Sequence, residues 1–201
     1  MAAVIRMASA LDGPALAAIY RPAVTDTAIS FEVEPPDYSM MTARVARTTS
    51  RLPWIVCDTG SEVVGYAYAS PHRDRPAYQW SVEVSAYVRA DARRAGVARA
   101  LYASLFSILA LQGFRNAYAG VTLPNEASEG LHLSVGFRPI GVFRGVGWKR
   151  GAWHDVGWYE RALVPRDRDP EPPVALPQIV RTPACREALE AGLALLRPPV
   201  A

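Results

Sequence analysis

The chain has 201 residues, half of them hydrophobic, and 22 Lys+Arg stand against 19 Asp+Glu for a net charge of +3. That is enough for one domain with an adequate core plus an appendage, while so small a cationic excess, with no basic stripe interleaved with aromatics, excludes a nucleic-acid binder. No run approaches the ~18 apolar residues of a membrane span, no basic leader precedes an apolar run at the N-terminus, and two unspaced cysteines with three scattered histidines point to a reduced cytoplasm and no metal site.

In chain order, Val4 to Met7 reads as a short first strand. Leu11 to Ala23 sets Leu16, Ile19 and Tyr20 at helical spacing behind Asp12, a residue type suited to capping. Thr25 to Pro36 is a loop with an apolar Phe31 among Ser30, Glu32 and Glu34, and Tyr38 to Thr49 reads as a second helix. Trp54 to Cys57 and Val63 to Ser70 are strands around the turn Asp58-Thr59-Gly60-Ser61, followed by a polar loop from Pro71 to Pro76.

From Gln79 the chain alternates. Trp80, Val82, Val84, Ala86 and Val88 point one way; Gln79, Ser81, Glu83, Ser85 and Tyr87 point the other. A period of two over that length predicts a half-buried strand with a polar row on its second face. Arg89 to Ala95 is turn-like, and Val97, Leu101, Leu105, Ile108 and Leu109 recur at helical spacing up to Gly113. A loop with Arg93, Arg94 and Gly96 that opens into a helix suits an anion, because the first-turn N–H groups and the dipole face it. Taken alone, it is more simply an ordinary turn before a core helix.

Asn116 to Thr122 is a further strand, and Asn125 caps a helix running to Val135 with Glu126 and Glu129 in its N-terminal half. Phe137 to Gly147 and Trp153 to Leu163 make a hairpin around Lys149-Arg150-Gly151. From Val164 the composition changes, with eight of the 17 prolines beyond it. The expected division is therefore a domain over residues 1–163 and a tail over residues 164–201. In that tail Pro165 to Pro177 is extended, and a short helix begins at Thr182-Pro183 with Leu189, Leu193 and Leu196 on one face. Those leucines either pack on their own domain or belong to a segment that helps hold a second copy.

Glu83 is the lone carboxylate of the polar row, and Tyr78, Trp80 and Tyr87 give it an apolar neighbourhood; it is a candidate base against the simpler reading of a surface glutamate. His132, between Leu131 and Leu133 on a helix, is by itself more simply a packed histidine. Neither cysteine sits in a nucleophile's setting, which disfavours an acyl-enzyme.

The pattern R-x-x-G-x-A from Arg93 to Ala98, between an alternating strand and a long helix, resembles the pyrophosphate loop of the GNAT superfamily of acetyl-CoA-dependent N-acetyltransferases, with Ala98 where members more often carry glycine. N-x-x-S-x-x-x-H-x-x-x-G-F from Asn125 to Phe137 resembles that superfamily's other coenzyme-side motif. ISFEVEPP, PWIVCDTGSEVVGYAYASP, RPAYQWSVEVS, LPNEASEGLHLSVGF and GWKRGAWHDVGW extend the likeness from about Ile5 to Leu163 and narrow it to the phosphinothricin N-acetyltransferases.

This resemblance implies an α/β GNAT fold, a mixed twisted sheet with helices on both faces and acetyl-CoA where the central strands part. It implies direct acetyl transfer in a ternary complex, without metal, to the α-amine of a small amino-acid-like acceptor with a polar tetrahedral side-chain group, in a cytoplasmic homodimer whose extended tail crosses the two-fold. Glu83 becomes the base. His132 stands where many members have a tyrosine that acts as acid toward the coenzyme sulfur, and imidazole also suits proton removal. Among the coenzyme-binding residues Ala86, Tyr87 and Val88, Ala86 and Val88 meet the pantetheine by backbone and the N–H groups around Tyr87 and Val88 are the oxyanion donors; Arg93, Arg94, Gly96, Val97 and Ala98 hold the pyrophosphate, and Asn125 touches the coenzyme. Tyr102 touches the pantetheine arm or packs in the core. Phe31, Arg75 and Tyr78 fall on acceptor-pocket positions, with Arg73 and Tyr87 behind them; His72 stands where relatives often have an aromatic residue. Other acceptors remain open: methionine sulfone or sulfoximine, another amino acid, or a small polyamine. A different class, a non-catalytic CoA-binding sensor, is disfavoured by the retained Glu83 and His132.

Overall fold

The computed structural model describes residues 3–197. Its strands are β1 (Val4–Met7), β2 (Trp54–Asp58), β3 (Val63–Pro71), β4 (Ser81–Val88), β5 (Asn116–Leu123), β6 (Arg138–Lys149) and β7 (Ala152–Ala162). The helices are α1 (Gly13–Thr25), α2 (Tyr38–Thr49), α3 (Val97–Gln112), α4 (Glu126–Ser134), α5 (Leu176–Ile179) and α6 (Pro183–Glu190). One mixed sheet runs β1-β2-β3-β4-β5-β7-β6.

Helices cover both faces. Val82 and Val84 face α3, whose Leu101, Leu105, Ile108 and Leu109 are fully buried with Ile55, Ala67 and Ala117. Each such leucine or isoleucine contributes about 1.5–3 kcal/mol by leaving water. On the other face Leu16, Ile19, Met41 and Val45 of α1 and α2 pack on Trp54, Val56 and Tyr66. Gly113, at φ 93°, ends α3 and returns its N–H to the Leu109 and Ala110 carbonyls.

β4 and β5 are the only parallel neighbours among the described strands, and they pair briefly: Ser81 with Asn116, Val82 with Ala117, Glu83 with Tyr118. Past Glu83 they diverge, although β4 runs on to Val88 and stays paired with β3 as far as Gly65–Val88.

Asp12 does not cap α1. Its carboxylate accepts both arms of the Arg6 guanidinium (2.7 and 2.9 Å) and the Ser9 N–H (2.7 Å), closing a short 3-10 turn ahead of the helix. A bidentate guanidinium outcompetes a single capping N–H. Burial would raise this carboxyl, but the Arg6 and Ser9 hydrogen bonds outweigh it and hold it below the usual carboxylate range.

The tail folds back along its own α3. Gln112, buried in α3, donates to the Arg51 and Val174 carbonyls (2.8 Å each). Cys185 and Ala188 of α6 are buried, and Leu189, Leu193 and Leu196 are partly buried against the same core. Ser104 of α3 donates to the Leu189 carbonyl (2.7 Å) and accepts the Gly192 N–H (3.1 Å). The Arg197 N–H then reaches the Ala95 carbonyl (3.0 Å), at the entry to α3.

Candidate active site

The fork between β4 and β5 creates the site. Arg89 donates its N–H to the Val64 carbonyl on β3. Alternation along the strand therefore turns the backbone groups of Val88 and Ala86 away from β3, toward the gap that β5 leaves. The gap is a slit of about 70 Å³ whose walls include Ala86, Tyr87, Gly120, Asn125 and His132. Tyr87's ring packs edge-on against Tyr20 (4.8 Å between centroids), and burial raises its hydroxyl well above the ordinary value.

Glu83 stands at the last paired position of the fork, with its side chain about a third exposed. Its Oε1 meets the His72 Nδ1 at 3.0 Å and the Arg73 guanidinium at 3.7 Å. The His72 ring lies flat on Tyr118 (4.4 Å, 17°), with the rings of Tyr78 and Trp158 at 5.8 and 6.3 Å. A cleft of about 410 Å³ opens beside this group, lined by Phe31, Arg73, Trp158 and the apolar side chains of β6. Ile29, Gly120 and Thr122 line both slit and cleft, so the two meet across β5.

Phe31 is seated by Gly147 of β6, where any Cβ would overlap its ring. Nothing in the sequence around either residue pairs them. Arg75 and Tyr78 are not brought together with Phe31. They line a separate cavity of about 340 Å³ that also holds Arg51, and Arg73 is the residue common to both spaces.

On the slit side, His132 is 5% exposed. Its Nδ1 is 2.7 Å from the Ser128 carbonyl and its Nε2 is 3.1 Å from the Tyr102 hydroxyl. A carbonyl only accepts, so the proton sits on Nδ1, and Nε2 accepts from Tyr102; the assignment follows from the bonding pattern. Burial lowers the affinity of this imidazole for a second proton, and the Ser128 carbonyl opposes that only in part. Tyr102 is fully buried in the core, and its hydroxyl belongs to this pair at the slit wall. Asn125 spends its Oδ1 on the Ser128 N–H (3.2 Å) as the cap of α4 and also lines the slit.

The arginine loop enters α3 through two left-handed residues, Arg94 (φ 64°) and Gly96 (φ 81°). Arg93 and Arg94 are exposed, Val97 is buried and Ala98 half-buried on the first turn. A Cβ on Gly96 would overlap the carbonyl oxygen of Leu195, so the tail borders the loop. Sequence reasoning missed that contact, since only a lone Gly192 amid apolar residues hints at a close approach.

A family model described as the acetyltransferase (GNAT) domain matches residues 5–158. The chain is 36% identical over 157 residues to the phosphinothricin N-acetyltransferase of Streptomyces viridochromogenes, covering 78% of this chain and 86% of that one. It is 35% identical over 167 residues to the L-methionine sulfoximine/L-methionine sulfone acetyltransferase of Pseudomonas paraeruginosa, covering 82% and 97%. Among solved structures it is similar to a GNAT superfamily phosphinothricin acetyltransferase from Sinorhizobium meliloti in complex with AcCoA, with TM-score 0.79 and 32% identity over 88% of this chain and 99% of that one.

Proposed function

The chain belongs to the GNAT acetyltransferase family, and from that premise we propose that it transfers acetyl from acetyl-CoA to the α-amine of a small amino-acid-like acceptor such as phosphinothricin, by direct attack in a ternary complex. The observation that carries this reading is the meeting of slit and cleft at the fork, with Glu83 beside Arg73 of the cleft wall and the His132–Tyr102 pair in the slit wall.

In this reading the coenzyme's pantetheine arm lies in the slit and bonds the backbone of Ala86 and Val88, whose N–H groups also face the oxyanion as it forms. Its pyrophosphate meets Arg93, Arg94 and the first-turn N–H groups of Val97 and Ala98 beyond Gly96, and Asn125 offers its free amide. The proton acceptor for the amine is centred on Glu83. The His132–Tyr102 pair lines the part of the slit where the departing sulfur would lie. Phe31 and Trp158 close on the acceptor's stem, and Arg73, with Arg75 and Arg51 beyond it, suits an acceptor that carries both a carboxylate and a second anionic group.

The protein acts as a homodimer in the cytoplasm. Val142, Trp148 and Trp153 of the β6–β7 hairpin are each at least 40% exposed, apolar side chains that a second copy would cover. Both cysteines are free and buried, which suits a reducing compartment, and no helix of the described residues is long and apolar enough to cross a membrane. The tail from Val164 serves the domain as a strap.

Thiol release from acetyl-CoA, measured across phosphinothricin, methionine sulfoximine, methionine sulfone, proteinogenic amino acids and small polyamines, tests the reading. A kcat/KM for phosphinothricin above the rest supports it. A preference for the sulfone or sulfoximine replaces the acceptor but keeps the chemistry, and no turnover with any amine overturns the catalytic assignment.

A further inference from the structure

We propose that His72, and not the Glu83 carboxylate itself, takes the proton from the acceptor amine, with Glu83 acting through it as a carboxylate–imidazole pair. The proposal rests on the acetyltransferase reading above and names the atom at which its base operates.

The geometry is that of an oriented base. Glu83 is acceptor-only when ionised, so its 3.0 Å contact to Nδ1 means that Nδ1 carries the proton. That leaves the lone pair of the neutral ring on Nε2. Among the described residues Nε2 has no hydrogen-bond partner, and the His72 side chain keeps 14% of its surface exposed. The ring is fixed by its stack on Tyr118 and the edge contacts of Tyr78 and Trp158, and Trp158 and Arg73 line the acceptor cleft. The charged and titratable groups facing the ring are Glu83 from β4, Arg73 and Tyr78 from its own loop, and Tyr118 from β5. Glu83 is the one carboxylate among them, and it stabilises the imidazolium that forms.

The Glu83 Oε1 atom already accepts the His72 N–H and lies near the Arg73 guanidinium, so that oxygen is committed to positioning the ring. Nε2 has no such competition. The step balances as follows. The ammonium of the acceptor gives one proton to Nε2, and the freed lone pair attacks the thioester carbon. The C–S bond breaks with its electron pair on sulfur as the tetrahedral adduct collapses. The second nitrogen proton passes to that sulfur, giving the thiol and the amide, and His72 returns its proton to solvent.

Three variants test this. His72→Asn keeps a donor to Glu83 but supplies no base, and should lower kcat/KM by ~10²-fold or more with unchanged acetyl-CoA affinity. His72→Ala should regain turnover when imidazole is added, in proportion to the neutral imidazole present, which a purely structural histidine would not show. Glu83→Gln should also lose turnover. If His72→Asn retains the wild-type pH profile and kcat/KM while Glu83→Gln is impaired, the carboxylate is the base and the pair is refuted; if Glu83→Gln is itself wild-type, the broader reading of the acceptor side fails.

Discussion

Replacing Gly192 with alanine should detach the end of the tail from α3. Gly192 has φ −86° and ψ −15°, a conformation any residue adopts, so the substitution carries no backbone strain. Its new Cβ would lie 2.6 Å from the carbonyl carbon of Ala100 and 2.9 Å from its Cα, and would overlap the oxygen. That neighbour is helical backbone and cannot rotate away. Overpacking of this kind costs about 1–3 kcal/mol, and the two hydrogen bonds at stake, Gly192 to Ser104 and Arg197 to Ala95, add about 1 kcal/mol each. Restriction of the unfolded chain returns about 0.4–1 kcal/mol, so the net loss is about 2–5 kcal/mol. At about 2–4 °C per kcal/mol for a chain of this size, Tm falls by roughly 4–20 °C. The control is Gly130→Ala in α4, where a Cβ meets nothing within 4 Å and which should gain about 0.5–1 kcal/mol from helix propensity. Thermal and urea unfolding of both variants decides it. If Gly192→Ala melts with or above the wild type, the tail does not pack on α3 as described.

Arg94→Gly should separate stability from binding: relief of its left-handed φ (64°) stabilises the fold by about 1 kcal/mol, while loss of the cation weakens acetyl-CoA binding in calorimetry. Gly96→Asp should abolish that binding; unchanged affinity would remove the loop assignment. His132 gives a pH signature. It protonates near 6.5 when unfolded and lower when folded, so between those values the unfolded state binds more protons and stability falls as pH falls. In urea unfolding, His132→Phe should show a shallower loss of stability below pH 6.5 than the wild type. Trp153→Asp, on the exposed hairpin, should lower the mass seen by light scattering on dilution while leaving acetyl-CoA affinity intact.

Local periodicity carried most of the fold. The leucine spacing of α3 and Asn125 ahead of α4 each express contacts within a few residues, and each element formed where its pattern lay; the alternating strand begins only at Ser81, because Gln79 and Trp80 belong to the turn after the short 3-10 segment Pro76–Tyr78. What was not legible depends on two segments at once. The early parting of β4 from β5 is a property of register between strands, and no single strand's pattern contains it. Glu83 stood out as a lone carboxylate, but its bond to His72 depends on how far β3 runs before turning, and His72 lies just past the last paired residue, Pro71. Whether Arg73 or Arg75 faces Phe31 turns on the path of a short loop whose residues share one chemistry. Asp12 misled because an acidic residue before a helix has two possible partners, and Arg6 was the stronger.

A sheet that joins its halves through three registered pairs is an unfinished ladder. The N–H and C=O groups left along Ala86 to Val88 are those a missing strand would have bonded, and an extended ligand with amides along its length can stand in for that strand. Such a ligand is then a structural member as well as a reactant. Its arrival should tie β1–β4 to β5–β7, slow amide exchange at Ala86 and Val88 before any acceptor is present, and raise the unfolding temperature in step with its free concentration.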